Sequence, residues 1–255
     1  MSEQPPAAAT GPTLDRVLVE VTVPAPADAV WAALRDPDQI KAWFGWDADT
    51  LADEIDFIFV KHAVADQATR TIQFQGTQDR YEVEAKGDQS IVRIVRAAPA
   101  DQEWSDIYDA MTEGWIAFTE QLRFAFARHR DQPRRTVFLT GVPKEGHEGL
   151  LRAALGLTAL GAPGEPWAQD LGPDRAASGE VWHVGRRQTG ITVRHFGDGL
   201  LVLMEREPDE KHPRGEVSAT LTTYGLPDTD FAALDSRWKA WWAERFTSAA
   251  LPSAD

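Results

Sequence analysis

The chain has 255 residues and contains neither cysteine nor asparagine. Without cysteine there are no disulfides, no thiol nucleophile, no zinc finger and no iron–sulfur cluster. Without asparagine there is no acceptor for N-glycosylation. Cations are scarce too: 26 Lys and Arg stand against 40 Asp and Glu, a net charge of −14. That charge repels nucleic acid and anionic lipid and favours solubility. Long apolar runs are missing. The longest nearly apolar stretch, 153–162, is about half a membrane span and is interrupted by two glycines and a threonine. The start, Met1-Ser2-Glu3-Gln4-Pro5-Pro6, has no basic cluster ahead of an apolar stretch. No signal peptide is therefore expected, and a reducing cytoplasm is the default.

Apolar residues make up 43% of the chain, enough for a substantial core, so a wholly disordered or fibrous chain is excluded. By length it forms one large domain or two ordinary ones. Ten tryptophans are many for this length, and they divide evenly between the halves. They read either as core filler or as the walls of a cavity.

Residues 1–14, rich in Pro, Ala and Thr, are expected to be disordered. Val17–Val23 is β-branched and stops at Pro24, so it reads as a strand. Two short helices follow, one carrying Val30, Trp31 and Leu34, the next starting at Pro37 and closed by Gly45. Four strand-like runs come next: Ile55–His62, Thr69–Gln75, Tyr81–Ala85 and Ser90–Arg96. Ala65-Asp66, Gly76–Asp79 and Gly87-Asp88 serve as the turns. The spacing predicts an antiparallel meander with one wet face. A long helix from about Ser105 follows, with Met111, Trp115, Phe118, Leu122 and Phe126 on one stripe and Pro133 beyond its end.

The order then repeats. Arg135–Thr140 reads as a strand and Glu148–Leu160 as a helix. Val181–Arg187, Ile191–Phe196, Leu200–Glu207 and Val217–Tyr224 read as strands. A last helix from Asp228 or Asp230 carries Phe231, Leu234, Trp238, Trp241 and Phe246. This predicts an α+β protein of two domains, 15–132 and 133–255, joined near Asp131–Arg134. Residues 1–133 hold 12 basic and 23 acidic groups and the remainder 14 and 17, so the halves present different surfaces.

The run Val23-Pro24-Ala25-Pro26-Ala27-Asp28-Ala29-Val30-Trp31-Ala32-Ala33-Leu34, with Asp36-Pro37 and Ala42-Trp43-Phe44-Gly45 after it, resembles the opening of the START-like, helix-grip (SRPBCC) superfamily. Within it the resemblance is to the branch of the heat-shock-protein-90 ATPase activator C-terminal domain and its bacterial relatives. Glu113-Gly114-Trp115-Ile116 resembles that branch's closing motif. Together these motifs span residues 17 to about 130. The second half is similar in its order of elements alone, as a divergent tandem copy would be.

The resemblance implies two helix-grip domains, each a curved antiparallel sheet around a long C-terminal helix, with an apolar cavity between sheet and helix. Family members bind lipids, hormones or polyketides there; some are cyclases or hydrolases, and some contact a chaperone. Fold alone does not choose among these. Trp43, Phe57, Phe59, Phe74, Tyr81, Trp115 and Phe118 are the candidate lining residues, with Arg93 as a candidate anchor for an anionic head group. The rings either pack solid or line a pocket.

Other chemistry is thinner. There is no Gly-x-Ser-x-Gly elbow and no P-loop, and Gly197-Asp198-Gly199 reads as a hairpin turn. His183 and His195 lie on neighbouring predicted strands and, with Glu205, make a weak metal candidate beside the plainer reading of scattered sheet residues. The Arg-rich and aromatic strands of the second half offer a nucleic-acid reading that net acidity opposes; attraction to the acidic first half is the better expectation. The sequence thus points first to a binder of a small hydrophobic ligand, with no cofactor implied. A chaperone-interacting or self-associating module and a polyketide cyclase-type enzyme stand as alternatives. No nucleic-acid or membrane partner is expected.

Overall fold

The computed structural model describes residues 13–99, 110–147, 151–210 and 212–248. The chain divides into two compact units, Met1–Trp43 with Ala52–Ala127, and Phe44–Leu51 with Arg128–Asp255. Both are α+β and each holds one antiparallel sheet. No helix among the described residues is long and apolar enough to cross a membrane.

The first unit opens with β1 (Thr13–Val23), then α1 (Ala27–Ala33) and α2 (Pro37–Ile40). Strand β1 begins inside the tail expected to be disordered. Pro37 sits at the first turn of α2, where its missing N–H costs nothing, and the Asp36 carboxylate caps the turn through the N–H of Asp38. Next comes α3 (Leu51–Ile55), continued by a π-helix, Asp56–Lys61. The strands β2 (Ala63–Asp66), β3 (Thr71–Phe74), β4 (Asp79–Lys86) and β5 (Gln89–Pro99) complete a sheet of order β1-β5-β4-β3-β2. The long helix α4 spans Ala110–Arg128; its expected first turn from Ser105 falls outside the described residues.

Two expectations are corrected here. The run from Ile55 to His62 is helical, not extended. Its alternation of Ile55, Phe57 and Phe59 hides the helical pair Ile55 and Phe59, the two residues of the run that are buried. Acidic Asp53 and Glu54 start the helical stretch and Lys61 ends it, as the helix dipole favours. Ala65-Asp66 is not a turn but the end of β2.

Register across β1, β5 and β4 gives the sheet two faces. Val19, Ile94 and Tyr81 lie in one row, and Val21, Val92 and Val83 in the next. The other face is charged. Arg93 bridges Glu20 at 2.5 Å and Glu84 at 2.7 Å, and Arg80 bridges Asp15 at 2.5 Å and Glu82 at 2.8 Å.

The second unit contains β6 (Arg134–Pro143), α5 (Leu151–Ala154), β7 (Pro166–Leu171), β8 (Asp174–Val184), β9 (Gln188–Val193), β10 (Gly199–Arg206), β11 (Glu216–Tyr224), α6 (Asp228–Arg245) and β12 (Phe246–Ser248). Its sheet order is β12-β6-β11-β10-β9-β8-β7. In both units the first strand pairs with the last strand of the meander, and the long helix follows. The helix expected over 148–160 shrinks to α5, since Gly156 at φ +85° ends it, and 148–150 lie outside the described residues. Strand β7 was not expected. The core sits against one sheet face, where Val137, Leu139, Ile191, Leu201, Leu203 and Leu221 meet Leu234, Trp238 and Trp242 of α6.

Phe44–Leu51 comes from the first half of the chain and is clamped to β6. The N–H of Asp47 donates to Thr136 Oγ1 at 2.6 Å, and the N–H of Thr136 donates to Asp47 Oδ2 at 2.8 Å. Trp46 stacks on Phe138 at 3.8 Å, and buried Arg134 donates to the carbonyl of Phe44. Burial pushes the Arg134 guanidinium down to about 10.

Candidate functional site

In the first unit the structure brings five of the candidate residues together. Phe59 arrives from the π-helix, Phe74 from β3, Tyr81 from β4, Trp115 from α4, and Trp43 from the turn after α2. Phe74 and Trp115 stack at 4.8 Å. Phe59 meets Trp43, Phe74 and Trp115 edge-on at 5.7, 5.5 and 6.4 Å, and Tyr81 meets Trp115 at 5.6 Å. All five are buried. The rings therefore fill one another's edges and faces, the geometry that aromatic quadrupoles prefer.

Three candidates lie elsewhere. Phe57 is 56% exposed and rests on His62 at 4.1 Å. Arg93, the candidate anchor for an anionic head group, belongs to the charged face described above and is held there by Glu20 and Glu84. Phe118 is only partly buried on α4.

Beside the rings is an ionic cluster that the sequence reading missed. Arg96 donates to Asp79 through Nε at 2.6 Å and Nη2 at 2.9 Å, and to Thr112 Oγ1 at 3.1 Å. The indole of Trp115 donates to Asp79 Oδ2 at 3.0 Å. Asp79 is 0% exposed. The Tyr81 hydroxyl bonds Thr119 Oγ1 at 2.9 Å, and Thr119 donates on to the carbonyl of Trp115 at 2.7 Å. Burial drives the Tyr81 phenol well above its ordinary value, so it stays protonated. The Thr112, Trp115 and Tyr81–Thr119 bonds tie α4 to β4 and β5, and the Arg96–Asp79 pair ties those two strands to each other.

The second unit holds a related cluster. Asp174 opens β8 as Asp79 opens β4. Its carboxylate accepts from Trp238 Nε1 at 2.8 Å, from Arg237 Nε at 2.5 Å and from His195 Nε2 at 3.1 Å. Burial alone would raise this carboxyl, yet the bonds from His195, Arg237 and Trp238 together hold it below the usual carboxylate range. The His195 and Arg237 side chains are 35% and 36% exposed, whereas Asp174 is 6% exposed. His195 packs edge-on to Phe196 at 4.8 Å, and Phe196 to Trp238 at 6.1 Å.

The proposed convergence of His183, His195 and Glu205 does not occur. His183 faces Gln188 at 3.1 Å, Glu205 accepts from Arg152 at 2.7 Å, and His195 turns to Asp174. Among the described residues no group of His, Asp and Glu has a metal-binding arrangement.

No family model matches the chain, and no curated protein matches it. Among solved structures it is similar to DynU16 of the dynemicin biosynthetic locus, at 17% identity over 90% of this chain and 94% of that one, with a TM-score of 0.28. It is also similar to BexL, a di-domain ARO/CYC from the BE-7585A biosynthetic pathway, at 14% identity over 91% and 93%, with a TM-score of 0.32. A third is StfQ, a di-domain ARO/CYC from the steffimycin biosynthetic pathway, at 10% identity over 91% and 93%, with a TM-score of 0.29. Likeness of this degree assigns no residue here a role.

Proposed function

We propose that the protein is a tandem helix-grip protein that takes up a small, flat apolar ligand between the sheet and α4 of its first unit, in the space that Phe59 occupies. The supporting observation is the way Phe59 is held. It projects into a box of rings from a π-helix closed by the His62 N–H on the Phe57 carbonyl at 2.9 Å. Such segments are rare and are frequent at functional sites. The same turn leaves Phe57 and Val60 exposed, and Val64 of the short edge strand β2 is exposed beside them in the chain. Withdrawing this one turn removes a ring from between Trp43, Phe74 and Trp115. It leaves the Asp79–Arg96 pair and the sheet registers intact. A flat apolar guest replaces what leaves.

The test uses Nile red. The protein is expected to bind one dye per chain with quenching of tryptophan emission. Phe59→Ala, which opens the space, should tighten binding about tenfold, equivalent to about 1.4 kcal/mol. Phe59→Trp, which fills it, should remove binding. Dye uptake indifferent to both substitutions sinks the proposal. A chaperone partner is not carried forward, because the cations on the outer sheet face, Arg80 and Arg93, are each already held by two carboxylates. The cyclase-type alternative needs a group that moves protons, and the second unit supplies a candidate.

A further inference from the structure

The two units place a carboxylate in the same way: the first residue of a meander strand receives an indole N–H from the long helix and a guanidinium. What surrounds it differs. In the first unit the guanidinium, from Arg96, is 8% exposed and also donates to a neutral threonine, Thr112. Both charged partners there, Arg96 and Asp79, are shut away from solvent. In the second unit the guanidinium, from Arg237, reaches solvent, and the place of the threonine is taken by an imidazole that also reaches solvent. A purely structural clasp needs neither change.

The chemistry of the second cluster is specific. His195 Nε2 faces the carboxylate and donates to it, so Nδ1 is the basic nitrogen of the ring. The buried Asp174 fixes the orientation of the ring and the nitrogen that faces it, the part a carboxylate takes in acid–base dyads. Arg237 spends its Nε on Asp174, which leaves its terminal nitrogens for an oxygen outside. Phe196 and Trp238, both fully buried, pack behind the two polar groups.

We propose that His195, Asp174 and Arg237 form an acid–base site for an enolisable carbonyl compound. His195 Nδ1 takes a proton from the carbon beside the carbonyl. The C–H pair moves into the new carbon–carbon double bond, and the carbonyl pair moves onto oxygen beside the Arg237 guanidinium. The imidazolium then returns a proton to that carbon, so no oxidant or co-reactant is required. His195 is the catalytic base, Arg237 the oxyanion partner, and Asp174 a positioning residue.

The experiment follows the methyl signal of acetophenone by proton NMR in deuterium oxide, with the full-length protein. The native protein is expected to accelerate exchange above buffer. His195→Ala should lose about a hundredfold of that acceleration, in keeping with the usual worth of a general base. Added imidazole should restore part of it, which a merely structural histidine would not allow. Asp174→Asn should reduce exchange while Nile red uptake persists; should that variant unfold, His195→Ala with rescue decides alone. Exchange in the native protein no faster than buffer overturns the proposal, as does exchange unchanged in His195→Ala or a loss that imidazole does not rescue. Because dye uptake is read at Phe59, failure of either proposal leaves the other standing.

Discussion

Asp79 shows how much one side chain holds in place. It is fully buried, and its charge is tolerable only because Arg96 and the Trp115 indole answer it. Asp79→Ala strands the guanidinium and should cost about 3–5 kcal/mol in urea unfolding. Replacing both partners by apolar residues of similar size should cost much less. This cluster was in principle legible. The two-residue turn Gly87-Asp88 sets the β4–β5 register, and counting outward from it places Asp79 opposite Arg96. The sequence reading weighed ring size and strand parity instead, so it found Trp43, Phe59, Phe74, Tyr81 and Trp115 and passed over the ions beside them. No such counting reaches Asp174 and His195, which share no ladder. A second residue gives a pH signature. Tyr224 lies buried against His129 at 3.7 Å, and burial pushes its phenol up to about 12 from the ordinary 10.0. A raised phenol stabilises the fold fully below pH 10.0, and that contribution disappears as pH climbs toward 12. The stability difference between the native protein and Tyr224→Phe should therefore fall by about 2 kcal/mol across that window. Urea unfolding at both ends measures it.

At the level of elements, strands with one wet face were readable and short helices were not. Val17–Val23 and the β4–β5 hairpin follow from β-branched alternation and a Gly-Asp turn. The π-helix failed because a helical pair four residues apart also satisfies alternation when a third apolar residue stands between. Strand β7 failed because Pro166 and Gly172 bracket a run of mixed polarity that carries no clear period. The turn between β9 and β10 makes a sharp prediction about element geometry. Gly197 sits at φ +73°, and a Cβ there would fall 1.7 Å from the Tyr224 carbonyl oxygen. Gly76 sits at φ +80° with nothing within 4 Å. Gly76→Ala should therefore lose about 1–2 kcal/mol, the cost of the left-handed backbone alone. Gly197→Ala should lose at least about 3 kcal/mol, because β11 itself must move. Thermal unfolding of the two variants side by side checks the ranking, and equal losses would contradict the packing described for that turn.

At the scale of the whole molecule, compactness and chain order part company. The second unit includes Phe44–Leu51, which supplies the partner of the Thr136 N–H, the stacking surface for Phe138 and the acceptor for Arg134. A chain beginning at Arg128 lacks all three. It leaves a buried cation without its carbonyl and part of the β6 edge open, which invites edge-to-edge association. Such a fragment should aggregate or give a collapsed proton NMR spectrum, and a well-dispersed spectrum would contradict this account. The consequence reaches into the gene. A crossover at the codon for residue 128 would transplant a second half without the piece that finishes it, so viable chimaeras of this protein must inherit two separated stretches of coding sequence together.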